Sequence, residues 1–117
     1  MKTTRVHNVT RGITILEKAY VADSFFLRLK GLLGRRELPP GEGLVIVPCN
    51  SIHTVGMAFP IDAAFVDAGG VIRYLEEGMP PSRVGKRVKG ARYVIEGPAG
   101  LFSRTGTEAG DRVEFRG

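Results

Sequence analysis

The sequence predicts a mostly β (α+β) fold, a small single-domain antiparallel β-barrel or sandwich of about six to seven short strands with one short amphipathic helix. Its length of 117 residues leaves room for one domain. The 16 glycines and 7 prolines favour many short elements over long helices. The 43% of hydrophobic residues are enough to form a core without disulfides or a metal, and they alternate with polar residues in several short segments.

The first third of the chain predicts one strand followed by the helix. Residues 12–21 mix β-branched and polar residues, as strands do. Asp23 or Ser24 is a good N-cap for a helix over about 24–33, because its side-chain oxygen can accept from free first-turn amides. Gly34 is placed to end this helix. The apolar face of the helix would be formed by Phe25, Leu29, Leu32 and Leu33.

The second half predicts a β-hairpin, in which residues 61–66 and 71–77 alternate in polarity around a turn at 67–70. A long irregular loop is expected over 78–92. Further strands are predicted at 44–47, 93–96 and 112–116, with one helical turn within 99–104. Residues 1–11 could form an extra strand or a tail.

Cysteine and histidine counts exclude several kinds of site. The single cysteine excludes an intramolecular disulfide and a four-cysteine zinc site, and two histidines exclude a His-rich metal site. No apolar run approaches the roughly 20 residues of a membrane span, and the first twelve residues have no signal-peptide pattern. We therefore expect a cytoplasmic protein that is a monomer or weak dimer and needs no cofactor.

The net charge of +5 is compatible with an anionic partner. Residues 83–92 contain a cluster of basic side chains without an acid, which we call the basic loop. The basic loop predicts an anion-binding surface, and it leaves nucleic-acid binding open as an alternative. Its basic residues are Arg83, Lys86, Arg87, Lys89 and Arg92.

Cys49, His53 and Met57 follow one another at four-residue intervals. Thiol, imidazole and thioether form a soft ligand set suited to copper, which His7 would complete as a second histidine. The alternative for Cys49 and Met57 is ordinary packing in the core. For His53, whose neighbours suggest partial burial, the alternative is a structural hydrogen bond.

A second possibility is nucleophilic catalysis by Cys49 with His53 as its base and Asp62 orienting the imidazole. In an extended strand, positions 49 and 53 would lie about 13 Å apart, so only a turn at 50–51 would bring them together. The residues between them are poor helix formers.

Asp62 shares a predicted strand face with Ala64 and Val66, which are apolar. A buried carboxylate needs a partner, because burying it alone is costly. We therefore expect Asp62 to fasten the 50–59 loop against the hairpin through hydroxyls, His53 or backbone amides of that loop.

An ordered set of short motifs covers most of the chain, from about residue 22 to 115. The motifs are Arg28-x-x-Gly31-Leu32, Gly41-Glu42-Gly43-Leu44, Ser51-Ile52-His53-Thr54-Val55-Gly56-Met57, Pro60-Ile61-Asp62 with Phe65, Gly70-Val71, Pro81 with Arg83, Glu96-Gly97-Pro98-Ala99-Gly100 and Gly110-Asp111. In this order they resemble the bacterial and archaeal domain-of-unknown-function family 192. The resemblance implies a compact, β-rich single domain and carries no activity with it. Many members have an aromatic residue where this chain has Gly56, which implies a more open or differently filled pocket here.

These observations predict a non-catalytic binding or accessory module for a small ligand or a protein partner. The expected ligand-binding residues are His53, Thr54, Met57, Asp62 and Arg83. Three alternatives remain: a small hydrolase or transferase using Cys49, His53 or Asp62; a copper-type site at Cys49, His53 and Met57; and nucleic-acid binding through the basic loop.

Overall fold

The computed structural model describes residues 2–117, which form a curled seven-stranded sheet, a half-barrel, with two short helices. The strands are β1 (Thr3–Asn8), β2 (Ile13–Ala22), β3 (Glu42–Ile46), β4 (Ile61–Val66), β5 (Ile72–Met79), β6 (Tyr93–Pro98) and β7 (Val113–Arg116). The helices are α1 (Phe25–Lys30) and α2 (Leu101–Thr105). The mostly β prediction is confirmed, and the described part of residues 1–11 contributes a strand, β1.

The strand order is β5-β4-β6-β3-β2-β1-β7, and each pair of neighbours is antiparallel except β2 and β3. The parallel pair follows from the crossover that carries the chain through α1 between these strands. At the edges of the sheet, Val71 pairs with Arg112, and the Ile72 amide donates to the Asp111 carbonyl at 2.9 Å. These contacts join the starts of β5 and β7, so the sheet curls.

Each face of the sheet buries its own apolar cluster. One cluster includes α2, and we call this side the α2 face. The other is covered by α1 and the long loops, and we call it the α1 face. In β6, Tyr93 and Ile95 belong to the α2 face and Val94 to the α1 face. The period-two alternation of a strand therefore places Glu96 on the α1 face.

The helix near residue 24 forms, but it is shorter than predicted. Ser24 is its N-cap and accepts from the Leu27 amide at 3.1 Å. The helix ends at Gly31, whose φ of 50° lies in the left-handed region, and not at Gly34 as predicted. Leu32 and Leu33 thus lie beyond the helix, and the predicted continuous apolar face was wrong.

The helix itself buries no side chain. Phe25 is 75% and Leu29 64% exposed, whereas Leu32, in the turn that follows, is buried. Among residues 2–117, no helix is both long and apolar enough to span a membrane.

The hairpin is confirmed as β4 and β5, and residues 80–92 form the expected irregular loop. Asp62 is fully buried on the α2 face, as its alternation with Ala64 and Val66 predicts. Its partners were predicted wrongly. The Asp62 carboxylate accepts from the Gly78 amide at 2.8 Å and from the Phe102 amide at 3.2 Å. It therefore fastens β5 and α2 to β4, because its side chain faces away from the 50–59 loop.

We expect Asp62→Ala to lower the free energy of unfolding by about 2 kcal/mol, because two amides lose their acceptor. For a domain of this size, that loss lowers Tm by about 10 °C, measured by thermal denaturation. Asp23→Ala, which removes an exposed carboxylate, is the matched control and should leave Tm nearly unchanged. Equal Tm values for both variants would contradict the role of Asp62.

Candidate ligand-binding site

A pocket of about 330 Å³ lies on the α1 face, between α1 and the segment 46–57. Its lining combines eight apolar side chains with six polar ones. The apolar lining comes from Phe25, Leu29, Leu32, Leu33, Ile46, Pro48, Ile52 and Met57. The polar side chains are Arg28, Lys30, Cys49, Ser51, His53 and Glu96. A concave site with apolar walls and a few polar groups is typical of small-molecule binding.

Glu96 differs from every other buried polar residue of the described chain. The side chains of the others, Asn8, Thr54, Asp62, Thr107 and Asp111, all take part in hydrogen bonds. Glu96 is only 3% exposed, yet no group in residues 2–117 donates a hydrogen bond to its carboxylate. Every fully enclosed polar side-chain atom of residues 2–117 has a hydrogen-bond partner. The unpartnered carboxylate oxygens of Glu96 must therefore be accessible, and the pocket is the space that Glu96 lines.

The position of Glu96 explains this environment. Its strand, β6, lies between β4 and β3, and its neighbours in register are Ala63 and Leu44, which have apolar side chains. Burial among them raises the pKa of Glu96 from 4.5 to about 7. The pocket thus has an acidic group on an apolar floor, and this group exchanges its proton near neutral pH.

Cys49 is half-buried beside this carboxylate. Burial raises the pKa of its thiol most, and the negative charge of Glu96 raises it further, while a backbone hydrogen bond to Ser51 and the charge of Arg28 lower it. Arg28 donates to the Val47 carbonyl at 3.5 Å, which ties α1 to the opposite wall of the pocket. The thiol is therefore close enough to Glu96 and Arg28 for both charges to change its pKa.

The structure brings together Cys49, His53 and Met57, all of which line the pocket. His53 is exposed, however, so the prediction of partial burial was wrong. It pairs through its backbone with Val84, which places Ile52 and Thr54 inward and His53 outward.

The fold does not bring His7, the second histidine of the copper-type alternative, to the pocket. His7 lies in β1, where its Nδ1 is 3.4 Å from Thr14 Oγ1, and it does not line the pocket. Within residues 2–117, no group of three or more His, Cys, Asp or Glu side chains is arranged to hold a metal ion.

Three of the predicted ligand-binding residues lie outside the pocket. Thr54 is buried, and its hydroxyl donates to the Pro80 carbonyl at 2.6 Å and accepts from the Arg83 amide at 2.9 Å. Thr54 therefore holds the start of the basic loop in place. Asp62 faces the opposite side of the sheet, and Arg83 points into solvent.

The basic loop runs beside the pocket segment without lining the pocket. The Gly85 amide donates to the Ile52 carbonyl and the Val88 amide to the Asn50 carbonyl, each at 2.9 Å. All five of its basic side chains are exposed, and the Lys86 ammonium lies 4.1 Å from the centre of the Tyr74 ring. The loop stays a predicted anion-binding surface, separate from the pocket.

Gly56 lies at the edge of the pocket with a φ of 84°, in the left-handed region that favours glycine. A Cβ at this position would lie 3.1 Å from Leu33 Cδ2, and Leu33 lines the pocket. An aromatic side chain at position 56 would therefore contact Leu33 from its Cβ onward, and glycine keeps this edge of the pocket open.

The chain belongs to domain-of-unknown-function family 192, described as "Uncharacterized ACR", whose profile matches residues 6–115. A UPF0127 protein from Pyrococcus furiosus is 30% identical over 113 residues, covering 92% of this chain and 95% of the relative. A UPF0127 protein from Pyrococcus abyssi is 32% identical, with coverages of 92% and 94%. These relatives share nearly the whole length of the chain.

Two solved structures are similar over almost the whole fold. A protein from Sinorhizobium meliloti, described as a "putative transcription regulator", matches with a TM-score of 0.86 and 27% identity, covering 97% of this chain and 94% of that one. A protein of unknown function from Novosphingobium aromaticivorans matches with a TM-score of 0.80 and 23% identity, with coverages of 96% and 83%. The second likeness shows the fold alone.

We expect Glu96→Gln to stabilise the protein more at pH 8 than at pH 5. With its pKa raised to about 7, Glu96 stays protonated in the folded protein at pH values where the unfolded chain has lost the proton. Its contribution to stability is therefore greatest below pH 4.5 and falls as the pH rises through 7. Tm measured from pH 5 to pH 8 gives the difference between variant and wild type. Glu77→Gln, at an exposed glutamate, should show no such trend, and a pH-independent difference for Glu96→Gln would refute the assignment.

Cys49 should react slowly with iodoacetamide at neutral pH, because the pKa of its thiol lies above the ordinary 9.0. The pH profile of alkylation should shift to lower pH in Glu96→Gln and to higher pH in Arg28→Gln, following the charges removed. The same cysteine in urea-unfolded protein supplies the reference. Rapid alkylation below neutral pH would instead support a nucleophilic Cys49.

Proposed function

We propose that this protein is a non-catalytic binding module whose pocket on the α1 face takes a small ligand. The observation that carries the proposal is the Glu96 carboxylate, buried without a protein partner and accessible from the pocket. A buried ionisable group without a partner destabilises a fold. The arrangement is favourable when a ligand supplies the missing hydrogen bonds.

Binding is favoured over catalysis because the nucleophile lacks the means of activation. A reactive cysteine needs a lowered pKa or an adjacent base, whereas the pKa of Cys49 is raised. The Cys49 thiol donates to the Ser51 carbonyl at 3.1 Å, and Asp62, the predicted orienting acid, lies on the other face of the sheet. These features support the module over the hydrolase or transferase.

The size and rim of the pocket indicate the kind of ligand. A volume of about 330 Å³ is at the lower end of the range for small-molecule sites. At the rim, Phe25 and Leu29 expose large apolar side chains that the fold leaves uncovered. A ligand with an apolar body can bury this surface while its polar end reaches Glu96.

A nucleic-acid partner is a second candidate, ranked below the small ligand. In its favour are the exposed basic loop and the similar structure described as a putative transcription regulator. Against it, Phe25 and Phe26, the most exposed aromatic side chains, lie on α1 and are not interleaved with the loop cations. A cytoplasmic location, a monomeric or weakly dimeric state and the absence of a cofactor likewise stay predictions.

Screening isotopically labelled protein against neutral, cationic, anionic and zwitterionic fragments by NMR tests the proposal. We expect shifts in the backbone amides around the pocket, such as those of Gly31, Cys49 and Ile52. Ser51→Trp, which fills the pocket from its exposed edge, should abolish them. Ser103→Trp, at an exposed serine of α2, should retain them. Fragment shifts confined to other surfaces, or shifts that survive in Ser51→Trp, would overturn the proposal.

A further inference from the structure

We infer that the ligand is a small zwitterion, which places an ammonium group against Glu96 and an acidic group, such as a carboxylate, against Arg28. The inference rests on the proposed function and adds to it the chemical class of the ligand. It follows from the burial of the charged groups that line the pocket, with Glu96 buried and Arg28 and Lys30 more exposed, and from the apolar side chains that line the same pocket.

Glu96 determines which chemical group the ligand places at its inner end. Its carboxylate has only apolar neighbours in register, Leu44 and Ala63, and accepts no hydrogen bond from residues 2–117. An ammonium group carries three donors and a positive charge, so it satisfies the acceptor and neutralises the carboxylate at once. A carboxylate at this depth would instead face a like charge.

The cationic side chains of the pocket determine which chemical group the ligand places at its outer end. Of the charged side chains that line the pocket, Arg28 and Lys30 of α1 are basic, and Glu96 is the one acid. A ligand with a positive charge alone would meet repulsion from these cations and from a chain whose net charge is +5. An acidic group next to Arg28 removes this repulsion, and a guanidinium can hold a carboxylate through two parallel hydrogen bonds.

Glu96 and Arg28 line the same pocket, and so does Cys49. Its thiol is influenced by both Glu96 and Arg28, in opposite directions. Glu96 and Arg28 nevertheless form no ion pair, so a gap separates them. The remaining titratable group of the lining is His53, which is exposed at the edge. A short molecule charged at both ends can bridge this gap, with its apolar part against the walls.

Calorimetry with matched compounds tests this inference. L-leucine and 6-aminohexanoate are zwitterions with short and long charge separations. The compound 3-methylbutylamine lacks the carboxylate of leucine, and 4-methylpentanoate lacks its ammonium. We expect at least one zwitterion to bind the wild-type protein about tenfold or more tightly than either singly charged compound.

Variants and proton counting separate recognition from folding. Glu96→Gln and Arg28→Gln should each weaken binding of the zwitterion about tenfold or more, whereas the matched controls Glu77→Gln and Arg36→Gln, at exposed residues, should not. At pH 7, binding of an ammonium should release protons from Glu96, measured by titration in two buffers of different ionisation enthalpy. A purely structural role for Glu96 would not produce this release.

The outcomes distinguish the two proposals. If a singly charged compound binds the pocket as tightly as both zwitterions, or binding releases no protons, the inference is wrong while the binding module stands. If other fragments occupy the pocket and neither zwitterion binds, the inference is again wrong. If no fragment perturbs the pocket amides, the proposed function itself fails. Because the comparison of compounds uses the wild-type protein, it does not depend on how the variants fold.

Discussion

The pleat of two neighbouring inner strands, β4 and β6, is the constraint on which the rest of this structure depends. Both strands are buried on both faces, and each carries one acid where its neighbours are apolar. Alternation sends Asp62 of β4 to the α2 face and Glu96 of β6 to the α1 face. One acid therefore meets a helix and a hairpin end, and the other meets a pocket.

The different environments of the two acids separate a structural role from a binding role. Asp62 accepts from two backbone amides and so holds β5 and α2 in position. Glu96 accepts from none, and its pKa is raised to about 7 by burial. The other buried polar side chains among residues 2–117 are paired, so this acid alone costs stability that the fold does not recover. Such a cost persists where function depends on the unpaired group.

Local patterns in the sequence predict most of the fold, because hairpins and caps are determined by neighbouring residues. The alternation around the 67–70 turn predicts β4 and β5, and Ser24 marks the start of α1 as expected. The end of α1 was misjudged, because Gly31 and Gly34 are both competent to stop a helix and the sequence does not rank them. The parallel pairing of β2 with β3 depends on a crossover, which local patterns do not reveal.

The candidate site was predicted only in part. The 49–57 segment was identified, since Cys49, His53 and Met57 are chemically conspicuous. Glu96 was overlooked, although it is the last residue of the predicted strand over 93–96. Glu96 shares a strand face with apolar Val94, just as Asp62 shares one with Ala64 and Val66. That pattern is visible in the sequence. The pocket that Glu96 lines forms only in the folded protein, so the sequence does not reveal it.

The pocket itself arises from the early end of α1. A helix continuing to Leu33 would have turned Phe25 and Leu29 toward the same side as Leu32. Because Gly31 stops the helix, Leu32 enters the core while Phe25 and Leu29 stay exposed at the rim. The helix is consequently held by few contacts, among them the bond from Arg28 to the Val47 carbonyl. A ligand that occupies the pocket and contacts Arg28 would add to the contacts that hold α1. Binding would therefore hold α1 more firmly and at the same time pair the charge of Glu96, which couples the two charged ends of the site through one short element.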